Sequence, residues 1–345
     1  MNRPMLLPYL RPLWRDSTTL QLGTDPARAV VLEFADRAAA QLLDLLDGMR
    51  SEAGIVTAAV ARGVPPALAR DVISTLRAAG VVVEAHTLFP RGLTAEGRRR
   101  LYPEAAALSL RLGPTGRTPA SVLRRRRVAH VMVGGFAPTD PPEPTDPPEP
   151  SEPVEPAAGE PTEADPLAVA IVDTLTAAGI GRVTRTGIDP LPQGGHTFVV
   201  RVGSERRPAA LVARAYAQRG VAHITVTVRD GAVVVGPLVP PAGSPCLRCV
   251  DLHRVDRDPA WPALAAQLAT ADPAPLTCAA TTRMAAAAYV ADEVLNYIDG
   301  MPARTRGASV EVSGPDRFRR RTWPPHPRCD CPGGRRTAAH AQESS

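Results

Sequence analysis

The chain has 345 residues and contains no lysine, so all 40 of its basic residues are arginine. A Walker A phosphate loop and a Schiff-base enzyme both depend on a lysine, and both kinds of chemistry are therefore excluded. Long apolar runs are also missing: none reaches the roughly 18 residues that a membrane-spanning helix needs. Pro8 and Arg11 interrupt the apolar start too early for a secretory signal. We therefore expect a cytoplasmic protein without a membrane partner.

Proline, by contrast, is abundant and unevenly spread. Ten of the 38 prolines lie within residues 137–165, together with nine acidic residues and no basic one. Such a segment has too little apolar surface to offset the entropy of ordering, and this predicts a disordered insertion. The remaining chain has 40 arginines against 26 acidic residues, a net charge of +14. Its many arginines and alanines indicate a GC-rich genome more simply than a nucleic-acid partner.

The first 90 residues have the pattern of a small α+β domain. Two β-rich segments, 18–22 and 29–34, flank the turn-forming sequence Gly23-Thr24-Asp25-Pro26, which predicts a hairpin. Three short helices should follow, over 36–47, 52–62 and 65–79, and residues 81–84 should return as a strand. This order of elements predicts a winged-helix-like domain.

Residues 128–332 have an α/β pattern. An apolar strand over 128–133 ends in Gly134-Gly135, and after the insertion a helix over 167–178 leads to a strand over 182–186. This is a βαβ unit with the insertion at its first turn. The other predicted elements are a helix at 211–219, strands at 223–228 and 233–235, a helix at 281–297 and a final hairpin at 310–321.

Two more segments complete the predicted organisation. Residues 91–127 form a helical, arginine-rich connector, and residues 333–345 form a disordered tail. The four consecutive arginines at 124–127 are either a solvated lead-in to the next strand or a patch that contacts a ligand or partner.

Four of the five cysteines form two close pairs, Cys246-Leu-Arg-Cys249 and Cys329-Asp-Cys331. In a protein that is not exported, close cysteine pairs favour metal binding over disulfides. Four thiolates leave no open position on a tetrahedral zinc ion, so such a site would be structural and would tie the C-terminal segment to the core. A redox cysteine pair and vestigial cysteines are the alternatives.

Three other residues are weaker candidates. Cys278 stands just before the alanine-rich helix, where a helix N-terminus can lower the pKa of a thiol, and this makes it a candidate nucleophile. The simpler interpretation is a small buried hydrophobic residue. His253 and His326 lie near the cysteine pairs and are either spare metal ligands or ordinary hydrogen-bonding histidines.

The order of these segments resembles the ThiF/MoeB superfamily, the ubiquitin-activating-enzyme-like adenylyltransferases, which hold one zinc between two such cysteine pairs. Residues 246–268, with Asp251-Leu-His-Arg and Asp258-Pro-Ala-Trp-Pro, resemble more closely the actinobacterial cyclodehydratase-like branch of ribosomal peptide (RiPP) biosynthesis. The resemblance covers most of the chain outside the insertion. It implies an N-terminal winged helix that binds a leader peptide, a Rossmann-like ThiF-type α/β domain with a zinc-binding C-terminal part, and a homodimer.

The sequence departs from this family at the nucleotide site. Adenylate-forming members have a GxGxxG loop after the first strand, whereas here Gly134-Gly135-Phe136 runs into the acidic insertion. The next helix begins at Asp165, whose carboxylate would repel phosphate from the helix N-terminus. Asp189 is either a remnant of the nucleotide-binding acid or a loop-forming residue before proline. Gly134, Gly135 and Asp189 are thus vestigial, the domain is degenerate, and ATP is not expected to bind.

The sequence therefore predicts a non-catalytic partner protein with structural zinc. It would bind the leader of a precursor peptide and present it to a modifying enzyme, by resemblance a YcaO-type cyclodehydratase of an azole- or thiazole-forming, bacteriocin-like pathway. The leader would add a strand near residues 18–34 and contact the helix over 65–79.

Two alternatives remain open. One is an active ATP-dependent adenylyltransferase with Cys278 as a possible thiol carrier. The other is a winged-helix nucleic-acid-binding protein, disfavoured because the third helix offers only Arg70 and Arg77 to a duplex.

Overall fold

The computed structural model describes residues 3–7, 10–26, 29–34, 37–112, 116–136, 165–187, 195–203, 207–241, 243, 245–270 and 278–335. The chain forms two compact units, 1–125 and 126–345. The predicted insertion apart from Asp165, the candidate Asp189 and the tail beyond residue 335 lie outside the described residues. Among the helices of the described ranges, none is both long and apolar enough to cross a membrane.

The described part of the first unit combines short strands with short helices. Its strands are β1 (Pro4–Leu6), β2 (Pro12–Trp14), β3 (Thr19–Leu22), β4 (Val30–Glu33) and β5 (Val82–Glu84). β1 pairs antiparallel with β5, and the other three form an antiparallel sheet in the order β2-β3-β4. Its helices are a 3-10 helix (Arg37–Leu45), α1 (Glu52–Val60), α2 (Pro66–Ala78), a 3-10 turn (Ala85–Thr87) and α3 (Ala95–Leu112); α4 (Pro119–Val128) spans the boundary between the units.

Local chemistry explains several of these elements. The predicted hairpin is present, and Leu20 and Leu32 face each other across β3 and β4 with both side chains buried. Ser51 caps α1, because its hydroxyl accepts the N–H of Gly54 at 3.2 Å. The segment predicted as a helix at 36–47 is a 3-10 helix. Its buried leucines include Leu42 and Leu45, which are three residues apart and therefore lie on one side of a three-residue turn.

The second unit is built on a seven-stranded mixed sheet in the order β12-β11-β10-β9-β8-β6-β7 over the described residues. β7, β6, β8 and β9 are parallel, whereas β10, β11 and β12 are each antiparallel to the preceding strand. The strands are β6 (His130–Val133), β7 (Arg182–Arg185), β8 (Phe198–Val202), β9 (Ala222–Arg229), β10 (Ala232–Val239), β11 (Ala308–Gly314) and β12 (Arg317–Thr322). The helices are α5 (Pro166–Ala177), α6 (Ala209–Arg219), α7 (Leu247–Arg257), α8 (Trp261–Thr270) and α9 (Ala280–Asp299).

Alternation along the strands divides the core of this unit between the two faces of the sheet. Val131 and Val133 of β6 join the large cluster with Ile171 of α5 and Val290 of α9. Met132, between them, joins a smaller cluster with residues of α6 and α7 and with three cysteines. The predicted βαβ unit, β6-α5-β7, is confirmed, and the mixed α/β class is confirmed with it.

One residue of the four-arginine run at 124–127 is buried. The interpretation of the run as a solvated segment before the strand is therefore wrong for this residue. The side chain of Arg126 is 1% exposed, and its guanidinium donates to both carboxylate oxygens of Asp299 at 3.0 and 2.7 Å. It also donates to the carbonyl of Ala178 at 3.0 Å. Arg126 therefore ties the C-terminal ends of α5 and α9 together, whereas its neighbours Arg125 and Arg127 are exposed.

Candidate metal centre and the loop after β6

The structure brings the four paired cysteines together. The Sγ atom of Cys246 lies 3.9 Å from that of Cys249 and 3.6 Å from that of Cys329, and the Sγ atoms of Cys249 and Cys331 are 3.5 Å apart. All four sulfurs lie within 4.8 Å of one another. Sulfurs that share a tetrahedral zinc ion at about 2.3 Å are about 3.8 Å apart. The four cysteines could therefore hold one metal ion.

Backbone geometry positions each pair. Cys246 is the N-cap of α7, and Cys249 lies in its first turn. The start of a helix therefore holds the first cysteine pair. On the other side, the N–H of Gly334 donates to the Cys331 sulfur at 3.4 Å. A side chain at Gly334 would collide with the carbonyl of Cys329, so the close return of the chain requires glycine there.

The surroundings of the sulfurs favour a bound dication. Cys249 is fully buried, and Cys246 and Cys329 nearly so. The hydrogen bond from the Cys246 thiol lowers the pKa of Cys249 to about 4, and the same bond raises the pKa of Cys246. Burial raises the pKa of Cys329 to about 12. The Cys249 sulfur thus accepts a hydrogen bond from the Cys246 thiol. A bound dication would balance the negative charge of four thiolates at this place.

The two histidines near this site make hydrogen bonds to other groups. The Nε2 atom of His253 lies 2.9 Å from the carbonyl oxygen of Pro324, and the Nε2 atom of His326 lies 2.6 Å from a carboxylate oxygen of Asp256. These contacts support the hydrogen-bonding interpretation of both histidines. Asp256 was missed in the sequence, because its role depends on the helical course of α7 and on a partner 70 residues away.

The three described residues after β6 do not present free amides to a phosphate. The N–H of Gly134 donates to the carbonyl of Val200 at 2.8 Å, and that of Gly135 to Gly187 at 3.4 Å. The N–H of Phe136 donates to the carbonyl of Thr186 at 3.0 Å. In a phosphate-binding loop such amides point at the ligand. Here the amides of these three residues are bonded to backbone carbonyls.

The N-terminus of α5 is occupied by a carboxylate, as the sequence predicted. Asp165 is the N-cap, and its Oδ1 accepts the N–H of Leu167 at 2.8 Å. Burial raises the pKa of Asp165, and the hydrogen bond from Leu167 works in the opposite direction. A carboxyl group that already satisfies the helix end leaves that end unavailable to a phosphate.

Cys278 lies close to this helix end. It is partly buried and packs against the large core cluster. Burial raises the pKa of its thiol, and Arg283 opposes this rise only in part. Because the thiolate is the nucleophile, a raised pKa favours the interpretation of Cys278 as a small hydrophobic residue.

Several solved structures have a fold similar to that of this chain. No protein-family model and no curated protein matches the chain by sequence. A heterocyclase solved in complex with substrate and cofactor matches 99% of this chain and 41% of its own, with a TM-score of 0.62 and 14% identity. The heterocyclase TruD matches 99% of this chain and 44% of its own, with a TM-score of 0.64 and 14% identity. This chain thus spans about two fifths of the length of those heterocyclases.

MccB matches over nearly the full length of both chains. A structure of Escherichia coli MccB with succinimide covers 96% of this chain and 99% of its own, with a TM-score of 0.56 and 12% identity. MccB has also been solved with ATP, and that structure has a TM-score of 0.53. At these identities the likeness shows the fold, and the resemblance to ThiF/MoeB-like proteins inferred from the cysteine pairs is confirmed at that level.

Proposed function

We propose that this chain is a non-catalytic, zinc-containing ThiF-like partner protein in the biosynthesis of a ribosomal peptide natural product. It binds the leader of the precursor peptide and presents it to a modifying enzyme of YcaO type, in an azole- or thiazole-forming pathway. The observation that carries the proposal is that the amides of Gly134, Gly135 and Phe136 are already bonded to carbonyls, whereas the four cysteines are assembled. A protein that only scaffolds needs the second feature and not an open phosphate loop.

The similar structures support the pathway assignment. They are heterocyclases, one of them bound to its substrate, and MccB, also solved together with MccA. The predicted organisation remains part of the proposal: a winged-helix-like domain over 1–90, a connector over 91–127 and the degenerate ThiF-like domain over 128–332. A homodimer is included by analogy with the family.

The first unit offers an edge for the leader. β4 forms one edge of its sheet, and the Val31 side chain on it is 45% exposed. A peptide that adds a strand there would gain main-chain hydrogen bonds and cover this valine. α2 contributes less than the sequence indicated, because Val72 and Leu76 are buried in the unit's own core. Of the three apolar residues Leu68, Val72 and Leu76 of α2, only the half-buried Leu68 is open to a peptide.

A fluorescently labelled synthetic leader, taken from the precursor gene beside this one, should bind the full chain saturably. Val31→Asn should weaken binding about tenfold, because a buried valine contributes about 1.5 kcal/mol or more. Leu13→Asn on β2, at the other edge of the sheet and 42% exposed, is the matched control and should bind like the wild type. Fluorescence anisotropy measures both. The absence of saturable binding, or equal losses in the two variants, contradicts this placement.

The rival function is an active adenylyltransferase, and ATP–pyrophosphate exchange tests it directly. We expect no exchange above background with the leader or the whole precursor, because the Gly134 and Gly135 amides are occupied and Asp165 caps α5. Clear exchange that depends on the peptide would overturn the non-catalytic assignment. A thioester between the peptide and the chain that Cys278→Ser lacks, while the variant retains the exchange, would then identify the thiol as the carrier.

A nucleic-acid-binding winged helix is less well supported. Arg77 of α2 lies 2.9 Å from Glu52 and 3.3 Å from Glu84, and these contacts neutralise one of the two arginines that α2 could bring to a duplex. The other, Arg70, stands next to Asp71. Phosphate contacts supply most non-specific affinity for DNA, so this helix is a poor candidate.

A further inference from the structure

The helix that carries one cysteine pair also contacts the C-terminal segment at its opposite end. Cys246 and Cys249 lie at the start of α7, and His253 and Asp256 lie in its second half. The C-terminal segment runs past both places, with His326 beside Asp256 and Cys329 beside Cys246. α7 therefore holds this segment by sulfur at one end and by a polar cluster at the other.

The polar cluster is a set of mutually oriented hydrogen bonds around a buried ring. His326 is 2% exposed, and its Nδ1 accepts the backbone N–H of Arg328 at 3.1 Å. The ring proton therefore resides on Nε2, which donates to Asp256 at 2.6 Å. The guanidinium of Arg328 also contacts Asp256, and the ring of His253 packs edge-on against that of His326 at 4.7 Å.

This cluster connects directly to the cysteines. The carbonyl of His326 accepts the backbone N–H of Cys329 at 2.9 Å. The position of His326 thus sets the place of one of the four cysteines. Asp256 in turn fixes the His326 side chain, although it contacts none of the four sulfurs.

We propose that Asp256 and His326 are positioning residues for the metal, forming a clasp that holds Cys329 and Cys331 against α7 before the ion binds. The proposal rests on the zinc site proposed above. Cys249 and Cys331 are 82 residues apart, so bringing them together has an entropic cost that a metal ion would otherwise offset alone. With the clasp in place, the ion meets a preformed site.

The same three side chains could instead hold a second metal ion. The ligand atoms of His253, Asp256 and His326 lie within 4.8 Å of one another. The proton on His326 Nε2 opposes this, because a metal ligand must present a lone pair at that atom. The number of ions bound by the full chain separates the two cases.

The experiment titrates the metal-free full chain with zinc against a chromophoric chelator. Asp256→Ala removes the acceptor of the His326 ring and should weaken zinc binding about tenfold, the lower end of the range for hydrogen bonds made to metal ligands, because Asp256 acts through His326. Asp258→Ala is the matched control: Asp258 is exposed and accepts the N–H of Ala260 at 2.9 Å, outside the clasp. The Kd of this control for zinc should lie within about twofold of the wild-type value, because Asp258 makes no hydrogen bond to the clasp.

Two more measurements separate positioning from general damage. Cobalt-loaded Asp256→Ala should keep the absorption of a tetrahedral four-thiolate site, because the ligands are unchanged. His326→Gln, which still offers a donor to Asp256, should lose less affinity than His326→Ala. Thermal unfolding checks that each variant is folded.

The outcomes distinguish the clasp from the site itself. A wild-type chain that binds no metal refutes the zinc site. One metal per chain with equal affinities in the wild type and Asp256→Ala refutes the clasp and leaves the zinc site standing. Two metals in the wild type and one in Asp256→Ala would show that the polar cluster is itself a metal site, which also overturns the clasp.

Discussion

Cys249→Ser should abolish metal binding and destabilise the second unit, while binding of the leader by the first unit persists. Cys249 is the buried sulfur that lies 3.9 Å from Cys246 and 3.5 Å from Cys331, so its loss removes a central ligand. A ligand that binds only the folded state, present at about 1,000 times its Kd, stabilises that state by about 4 kcal/mol. We expect a loss of that order at saturating zinc.

Elemental analysis and thermal unfolding together measure this effect. Wild-type protein purified without chelator should contain one zinc per chain, and Cys249→Ser none. Cys278→Ser makes the same chemical change in the same unit, away from the four sulfurs, and should retain the metal. Zinc retained by Cys249→Ser, or absent from the wild type, contradicts the assignment. Anisotropy with the labelled leader then tests whether the first unit still functions.

Arg126→Met should be among the most destabilising single changes in the second unit, at about 3–5 kcal/mol. The variant leaves the carboxylate of Asp299 without its bidentate partner, in a place where its side chain is 0% exposed. Removing both charges avoids that penalty. We therefore expect the double variant Arg126→Met with Asp299→Leu to recover most of the lost stability.

Urea unfolding followed by circular dichroism gives the free energies of the four species and hence the coupling between the two sites. Arg124→Met, two residues earlier and exposed, is the matched control and should change stability by less than about 0.5 kcal/mol. Equal effects of the Arg124 and Arg126 changes would show that the buried ion pair does not stabilise the fold.

Features governed by neighbouring residues could be predicted from the sequence. The hairpin of β3 and β4 follows from turn residues between two β-rich runs, and Ser51 and Asp165 cap helices because their side chains reach amides two or three residues on. One part of the metal site, the closeness of the two cysteines within each pair, could also be predicted. The short spacing within each cysteine pair limits the distance between its two sulfurs, whichever fold surrounds them.

Features that join distant residues could not be predicted in this way. Nothing in four consecutive arginines distinguishes Arg126 from Arg125, since its partner Asp299 lies 173 residues away. The chemistry of Asp256 likewise depends on a histidine 70 residues further along the chain. The carbonyls that close the Gly134–Phe136 loop also come from neighbouring strands and their ends.

The sequence by itself therefore determined the hairpin, the βαβ unit, the cysteine pairs and the lack of a lysine for nucleotide chemistry, whereas it did not indicate β8, α7 or α8. Those properties depend on side-chain type and short spacing, which act before the chain folds. Only the tertiary structure decided which arginine is buried, that the four sulfurs meet at metal-binding distance, and that the loop amides are already bonded. These depend on long-range contacts, because burial and hydrogen-bond partners are set by what the rest of the chain packs against them.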